Sequence, residues 1–151
     1  ASSAVQDQLK NVQEVKASTH AFAAILSDGS VVSWGDADCG GESSAVQEQL
    51  KGVQQIQASW SAFAAILQDG SVVTWGDAGC GGDCSAVQGQ LKNVQQIQAS
   101  GGSFAAILDT GSVVTWGHPS AGDSDSRAVQ AQLKTVQQIQ SSDSAFAAIL
   151  D

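Results

Sequence analysis

A period of 41 residues runs through the chain and restricts it to a repeat architecture. Trp34, Trp75 and Trp116 follow one another at that spacing, each preceded by two valines and a Ser or Thr. Four units begin, at about residues 1–42, 43–83, 84–125 and 126–151, and the fourth ends before its Val-Val-x-Trp segment. We therefore treat the 151 residues as one repeat domain of about three and a half units.

Each unit contains short segments that are typical of β-strands. VQQIQAS, AFAAIL and SVVTW are rich in Val, Ile, Phe and Trp, and turn residues such as Asp28-Gly29 and Asp69-Gly70 separate the last two. The segment AVQDQL favours a helical turn by propensity, but we interpret it as a short outer strand, and the continuously apolar AFAAIL as the inner strand. Four strands every 41 residues predict an all-β fold of propeller blades, each of four short antiparallel strands, in a partial or open propeller.

Composition excludes several classes of function. Six basic residues stand against 15 acidic ones, a net charge of −9, which argues against binding to nucleic acid. The apolar runs are too short to span a bilayer, so we expect no direct membrane insertion. Three cysteines do not make a disulfide framework, and they leave the compartment undecided.

No catalytic or metal-binding pattern emerges from the polar residues, and we expect no enzyme and no cofactor. His20 and His118 occupy unrelated positions in their units, so neither predicts a catalytic triad. Cys80 and Cys84 share an acidic Gly-rich loop that offers thiols to zinc, but we interpret them as small apolar loop residues. A second acidic loop, around Asp36, lacks the full calcium-loop pattern, and its carboxylates are interpreted as solvated.

Positions that differ between near-identical units are the best candidates for partner binding. Thr19, Trp60, Gly101 and Asp143 occupy the same place in their units, just before AFAAIL or its equivalent. The segment that begins with His118-Pro119 also departs from the repeat. Such variation is typical of exposed loops, where binding residues concentrate, and Trp60 is the expected anchor.

The aromatic residues that every unit keeps are predicted to be structural. They follow two valines or lie within AFAAIL, as expected for packing between blades. The residues are Trp34, Trp75, Trp116, Phe22, Phe63, Phe104 and Phe146.

The segments AFAAILSDGSVVSWGDADCGG and SAVQEQLKGVQQIQAS make the chain resemble the regulator of chromosome condensation repeat family. That resemblance implies a seven-bladed propeller, of which three and a half units are half. It implies a protein-interaction scaffold within a larger assembly, with small-GTPase nucleotide exchange or ubiquitin-ligase substrate recognition as the alternative. Nearly identical tandem units are similar to repeat-rich algal members, which suggests a photosynthetic supercomplex and a plastid location.

The tryptophan-based ultraviolet sensors of the family carry Gly-Trp-Arg-His-Thr, whereas Trp60 lies in Ser-Trp-Ser-Ala-Phe, so that function is not expected.

An incomplete ring leaves strand edges with unpaired backbone groups, and such edges recruit other strands. The partners are therefore expected to be other proteins or a second copy of the chain. Alone, the chain is predicted to dimerise or aggregate.

Overall fold

The computed structural model describes residue 3 and residues 5–119 and 132–151, and it consists of small antiparallel sheets in sequence order. Three sheets have three strands and one has two, and we number them blades 1 to 4 along the chain. The strands are β1 (Val12–Ala17), β2 (Ala21–Leu26), β3 (Val31–Gly35), β4 (Val53–Ala58), β5 (Ala62–Leu67), β6 (Val72–Gly76), β7 (Val94–Ala99), β8 (Ser103–Leu108), β9 (Val113–Gly117), β10 (Val136–Ser141) and β11 (Phe146–Leu150). This architecture confirms the all-β class and the blade-like repeats.

The turn between the second and third strands is the hairpin that the Asp-Gly pair predicts. In blade 1 the Gly29 amide donates to the Leu26 carbonyl (2.9 Å), and the Asp28 carboxylate accepts from the backbone amide and the hydroxyl of Ser30 (2.9 and 2.6 Å). These hydrogen bonds lower the pKa of Asp28. The turn therefore fixes the register of β2 on β3, in which Phe22 lies opposite Trp34.

The predicted outer strand is wrong. Three of the four AVQxQL segments form short 3-10 helices instead, at Gln6–Gln8, Ser44–Gln49 and Gln88–Gln90, and the fourth begins outside the described residues. Blades 1 to 3 therefore have three strands each among the described residues. The reason is a side-chain contact with the preceding blade. The Gln47 amide donates to the Val31 carbonyl (2.9 Å), and Gln88 donates to Val72 (3.3 Å), so a glutamine satisfies an outer-strand carbonyl that a fourth strand would otherwise pair.

The placement of AFAAIL is corrected as well. In blades 1 to 3 it, or its equivalent SFAAIL, is the middle strand, hydrogen-bonded on both sides, and not the inner strand. The inner strands are those of the VQQIQA type, because β1, β4, β7 and β10 contact one another in succession. Burial of both faces, which the apolar run of AFAAIL predicts, fits a middle strand equally well.

Adjacent blades pack through unlike surfaces. One surface of each blade carries small and aliphatic residues, Ala21, Ala23 and Ile25 in blade 1, and we call it the small-residue face. It covers the aromatic face of the next blade, where Phe63 and Trp75 stack with ring centroids 5.3 Å apart. The same packing recurs between blades 2 and 3, with Phe104 and Trp116 in the equivalent places. The core therefore lies between blades, and each blade is stabilised mainly by its neighbours.

Candidate partner-binding site

The turns between the first and second strands of the four blades lie side by side and form one groove. A ladder of backbone hydrogen bonds joins them: the amide of Thr19 donates to Trp60 (2.8 Å), that of Trp60 to Gly101 (2.7 Å), and that of Gly101 to Asp143 (2.9 Å). The residues at 17–19, 58–60, 99–101 and 141–143 line a cavity of about 430 Å³, which we call the turn groove. The structure thus brings together the four variable positions that the sequence singles out.

The ladder explains why these positions tolerate variation. Its donors and acceptors are backbone groups, so four different residues, Thr19, Trp60, Gly101 and Asp143, take part in the same ladder. The preceding serines hold the groove wall in place, since the hydroxyls of Ser18 and Ser59 donate to the carbonyls of Cys39 and Cys80 (both 2.7 Å). The backbone ladder and the serine hydrogen bonds therefore repeat along the groove, whereas the side chains at the four variable positions differ.

Trp60 is the largest apolar side chain at the groove, and 54% of its surface is exposed. Its indole lies against the backbone of Gly101, where a Cβ atom would be 2.5 Å from the ring atoms Cε2 and Cζ2 and 2.6 Å from the Asp143 carbonyl. Only glycine at 101 leaves room for the indole in this position. The tryptophan of blade 2 and the glycine of blade 3 thus form a matched pair, which neither unit reveals alone.

The groove end of the sheets is acidic. The loop after β3 starts at this end, because Gly35 pairs with Ala21 and the Asp36 amide donates to the His20 carbonyl (2.9 Å). The acidic residues that these loops and turns bring to this end include Asp36, Asp38, Asp77 and Asp143. The described turns and loops here contain no lysine or arginine, whereas the repeated lysines 10, 51, 92 and 134 precede the first strands at the opposite end. Lys16, next to Ala17 of the groove, is paired with Glu14 (3.4 Å), so we expect the acidic loops to make this end attractive to cations.

His118 and Pro119 lie at the same end of the sheets. The His118 amide donates to the Gly102 carbonyl (2.8 Å), and the Ser103 hydroxyl donates to the His118 carbonyl (3.1 Å), which anchors the start of the divergent segment beside the blade 3 turn. The rest of that segment lies outside the described residues.

The cysteines do not line the turn groove, and Cys84 lies in a different environment from Cys39 and Cys80, which both contact Ser61. The Cys84 thiol donates to Gln88 (3.0 Å), whereas Cys39 contacts the Ser61 hydroxyl (3.6 Å). Burial raises the pKa of Cys84, and burial together with Asp77 raises that of Cys80, so both thiols are protonated at neutral pH. In the part of the chain that the structure describes, no three His, Cys, Asp or Glu side chains are placed to hold a metal ion. No described helix is long and apolar enough to cross a membrane.

The repeated aromatic residues occupy two environments. Phe63, Phe104, Trp75 and Trp116 are buried between blades, and the indole N–H groups of Trp75 and Trp116 donate to the carbonyls of Gly40 and Gly81 of the preceding blade (both 3.1 Å). Phe22 is exposed, Trp34 is half-buried and Phe146 is partly buried. The sequence analysis does not predict these hydrogen bonds from the indole to the glycine carbonyl. The sequence signal for them is the constant spacing between the Gly-Gly pair of one unit and the Trp of the next.

Solved structures with a similar fold are β-propellers. Prp20p from Saccharomyces cerevisiae, described with its binding properties to Gsp1p and histones, matches with a TM-score of 0.65 at 16% identity, over 97% of this chain and 44% of Prp20p. The same yeast protein, RCC1 (Prp20) bound to Kap60, matches with a TM-score of 0.64 at 15% identity, over 97% and 43% of the two chains. The ectodomain of the Physcomitrella patens receptor kinase CR4 matches with a TM-score of 0.53 at 18% identity, over 87% and 34%.

The chain spans less than half the length of each of these structures. No family model matches it, and no curated protein does. At identities below 20% the similarity establishes the fold alone, and it confirms the resemblance on which the sequence reading rests.

Proposed function

Starting from the RCC1-like β-propeller fold that the chain adopts, we propose that it is a non-catalytic protein-interaction module that binds its partner in the turn groove. The observation that carries the proposal is the ladder that places Thr19, Trp60, Gly101 and Asp143 side by side. Near-identical units distinguish a partner through positions that differ, and Thr19, Trp60, Gly101 and Asp143 are differing positions that lie together in this groove.

The chemistry of the groove favours a partner segment that carries positive charge. An exposed indole binds the guanidinium or ammonium of Arg or Lys through its π face, a contact of about 0.5–2 kcal/mol. Asp143, which follows Trp60 and Gly101 in the ladder, supplies a carboxylate, and the acidic loops around the groove add a long-range attraction. A basic peptide segment fits both features.

The similar structures support binding as the general role. Prp20p is described with binding to Gsp1p and histones, and as bound to Kap60, so this fold carries protein interactions in a solved case. A place in a photosynthetic supercomplex gains no support from these comparisons.

The test is selection from a random peptide library on the native chain, with counter-selection on the Trp60→Ala/Asp143→Asn chain. We expect the enriched peptides to be rich in Arg and Lys, to bind the double variant at least tenfold more weakly, and to lose affinity as salt is raised. The matched control is Lys51→Ala at the opposite end of the sheets, which should leave binding unchanged. Far-UV circular dichroism of each variant verifies that the sheets remain folded.

Peptides that bind native and double-variant chains equally, or that are acidic, would contradict this assignment of the groove. The alternative role, nucleotide exchange on a small GTPase, is checked by measuring nucleotide release from candidate GTPases. Accelerated nucleotide release would overturn the proposal that the chain is non-catalytic.

A further inference from the structure

The turn groove contains one aromatic and one charged side chain among short ones. Of the described residues that line it, Trp60 is the only aromatic residue and Asp143 is the only charged one. All the others are alanine, serine, glycine or threonine. The groove therefore offers a ligand a single large apolar surface and a single charge, and the ligand must supply the large side chains that fill the remaining space.

Trp60 and Asp143 are neighbours although they stand two steps apart in the ladder. The indole of Trp60 extends across Gly101, where a Cβ atom would be 2.5 Å from the ring atoms Cε2 and Cζ2 and 2.6 Å from the carbonyl oxygen of Asp143. Glycine at 101 thus lets the ring of blade 2 reach the turn of blade 4 with no side chain between them. An aromatic ring and an acidic residue are thereby brought to one place in the groove.

Both groups are available to a ligand. The Asp143 carboxylate has no hydrogen bond or ion pair with any described residue, whereas Asp36 and Asp77, at the same end of the sheets, each accept the amide two residues later (2.9 and 2.8 Å). The indole N–H of Trp60 also lacks an acceptor among the described residues, in contrast to that of Trp75. With 54% of the Trp60 surface exposed, the ring presents an open face.

A guanidinium group fits a ring and a carboxylate at the same time. Its plane stacks on an indole, and its fork of five N–H donors pairs a carboxylate through two parallel hydrogen bonds. An ammonium group is a compact, strongly hydrated charge, and it has no planar edge for such a bidentate pair. Adjacent Trp60 and Asp143 therefore distinguish arginine from lysine, which the long-range attraction of the acidic loops does not.

We propose that Trp60 and Asp143 form a subsite for one arginine side chain, with the guanidinium stacked on the indole and paired with the carboxylate. This subsite rests on the proposed function, because the arginine belongs to the basic segment that binds in the turn groove. It adds to that function a preference for arginine over lysine and a single place in the groove where the preference applies. Gly101 is the positioning residue, since it holds the ring beside Asp143 without contacting the ligand through a side chain.

The first experiment titrates the native, nitrogen-15-labelled chain with the N-acetyl amides of arginine, lysine and citrulline. The indole N–H resonance of Trp60, assigned by its loss in Trp60→Phe, reports binding by NMR. We expect a saturable shift with the arginine amide, roughly fivefold weaker binding or less with the lysine amide, and no saturable shift with the uncharged citrulline amide. Equal affinities for the arginine and lysine amides, or no saturable shift with arginine, would overturn the subsite.

A matched pair of variants separates direct contact from general acidity. Asp143→Asn and Asp38→Asn each remove one negative charge from the same end of the sheets, but Asp38 does not line the groove. We expect Asp143→Asn to weaken binding of the arginine amide roughly fivefold and to abolish its advantage over lysine. Asp38→Asn should preserve the ratio of the two affinities. If both variants change that ratio equally, or neither does, the carboxylate of Asp143 does not select arginine.

The selected peptides distinguish failure of this subsite from failure of the proposed function. We expect one Arg→Lys replacement in each peptide to weaken binding to the native chain but not to the Asp143→Asn chain. Peptides that bind the groove, but in which every Arg→Lys replacement has the same effect on both chains, would overturn the subsite and leave the proposed function intact. Arginine amide that binds as expected, with no peptide recovered by selection, would support the subsite and contradict the peptide-binding function.

Discussion

Trp75→Ala tests whether the repeated tryptophan stabilises the interface between blades. Trp75 is 4% exposed, stacks on Phe63 and donates to the Gly40 carbonyl at 3.1 Å. Truncating a large core side chain costs about 3–5 kcal/mol, and here the buried Gly40 carbonyl also loses its donor. We therefore expect a loss of about 3–5 kcal/mol in the free energy of unfolding, near the upper end of that range.

Trp34→Ala is the matched control within the same chain. Trp34 also stacks on a phenylalanine, with centroids 5.4 Å apart, but it is half-buried and its indole N–H donates to no carbonyl among the described residues. Partial burial and one stacked pair are worth about 1–2 kcal/mol. Urea denaturation followed by far-UV circular dichroism measures both losses without depending on tryptophan fluorescence. Equal losses for Trp34→Ala and Trp75→Ala would refute the packing scheme in which each blade covers the next.

Three further substitutions test the interface, the hairpin turn and the groove. Gly40→Ala should cost about 2–4 kcal/mol in unfolding free energy because it combines a left-handed backbone with a clash against the next blade, whereas Gly89→Ala, with nothing within 4 Å, should cost almost nothing. Asp69→Asn should flatten the acid dependence of the melting temperature. Hydrogen bonds from the serine two residues later lower the pKa of Asp69 below its ordinary 3.8, so its contribution is present above that value and lost as pH falls through the lower folded-state pKa. An unchanged acid profile would exclude this contribution. Gly101→Ala should displace the indole of Trp60, which increases acrylamide quenching of the exposed tryptophan and weakens peptide binding without changing the far-UV spectrum. Unaltered quenching would show that the indole does not rest on residue 101.

Local sequence predicts those parts of the fold that local contacts determine. The strands and the Asp-Gly hairpins follow from side-chain type and turn chemistry within a few residues, and both agree with the structure. The helical propensity of the AVQxQL segment agrees with its structure, and the outer strand that we inferred instead is wrong, because Gln47 contacts the Val31 carbonyl of the preceding blade in place of a fourth strand. AFAAIL is wrongly predicted as the inner strand because its apolar pattern indicates only that both faces of the strand are buried. The pattern does not indicate which strand of the blade lies closest to the neighbouring blades.

The candidate site depends on contacts between units, so sequence reasoning reaches it only in part. Comparison of the four units identifies the variable positions, since near-identity elsewhere makes the differences visible. It does not reveal that consecutive positions are hydrogen-bonded to one another across a separation of 41 residues. Nor does it show that Trp60 requires Gly101, because that dependence arises only when two units are adjacent.

Under the proposed function, the repeat divides stability and recognition between two kinds of position. Interface groups such as Trp75 and Gly40 must match the neighbouring blade in shape and hydrogen bonding, so a change in one unit disturbs two blades. The turn-groove positions are connected through backbone atoms, so four different residues take part in the same ladder. In the proposed binding mode, a change at one of these positions alters recognition while the packing between blades stays the same. The constraint that remains is local to adjacent turns: an aromatic residue at one ladder position requires a residue without a Cβ at the next, as Trp60 and Gly101 illustrate.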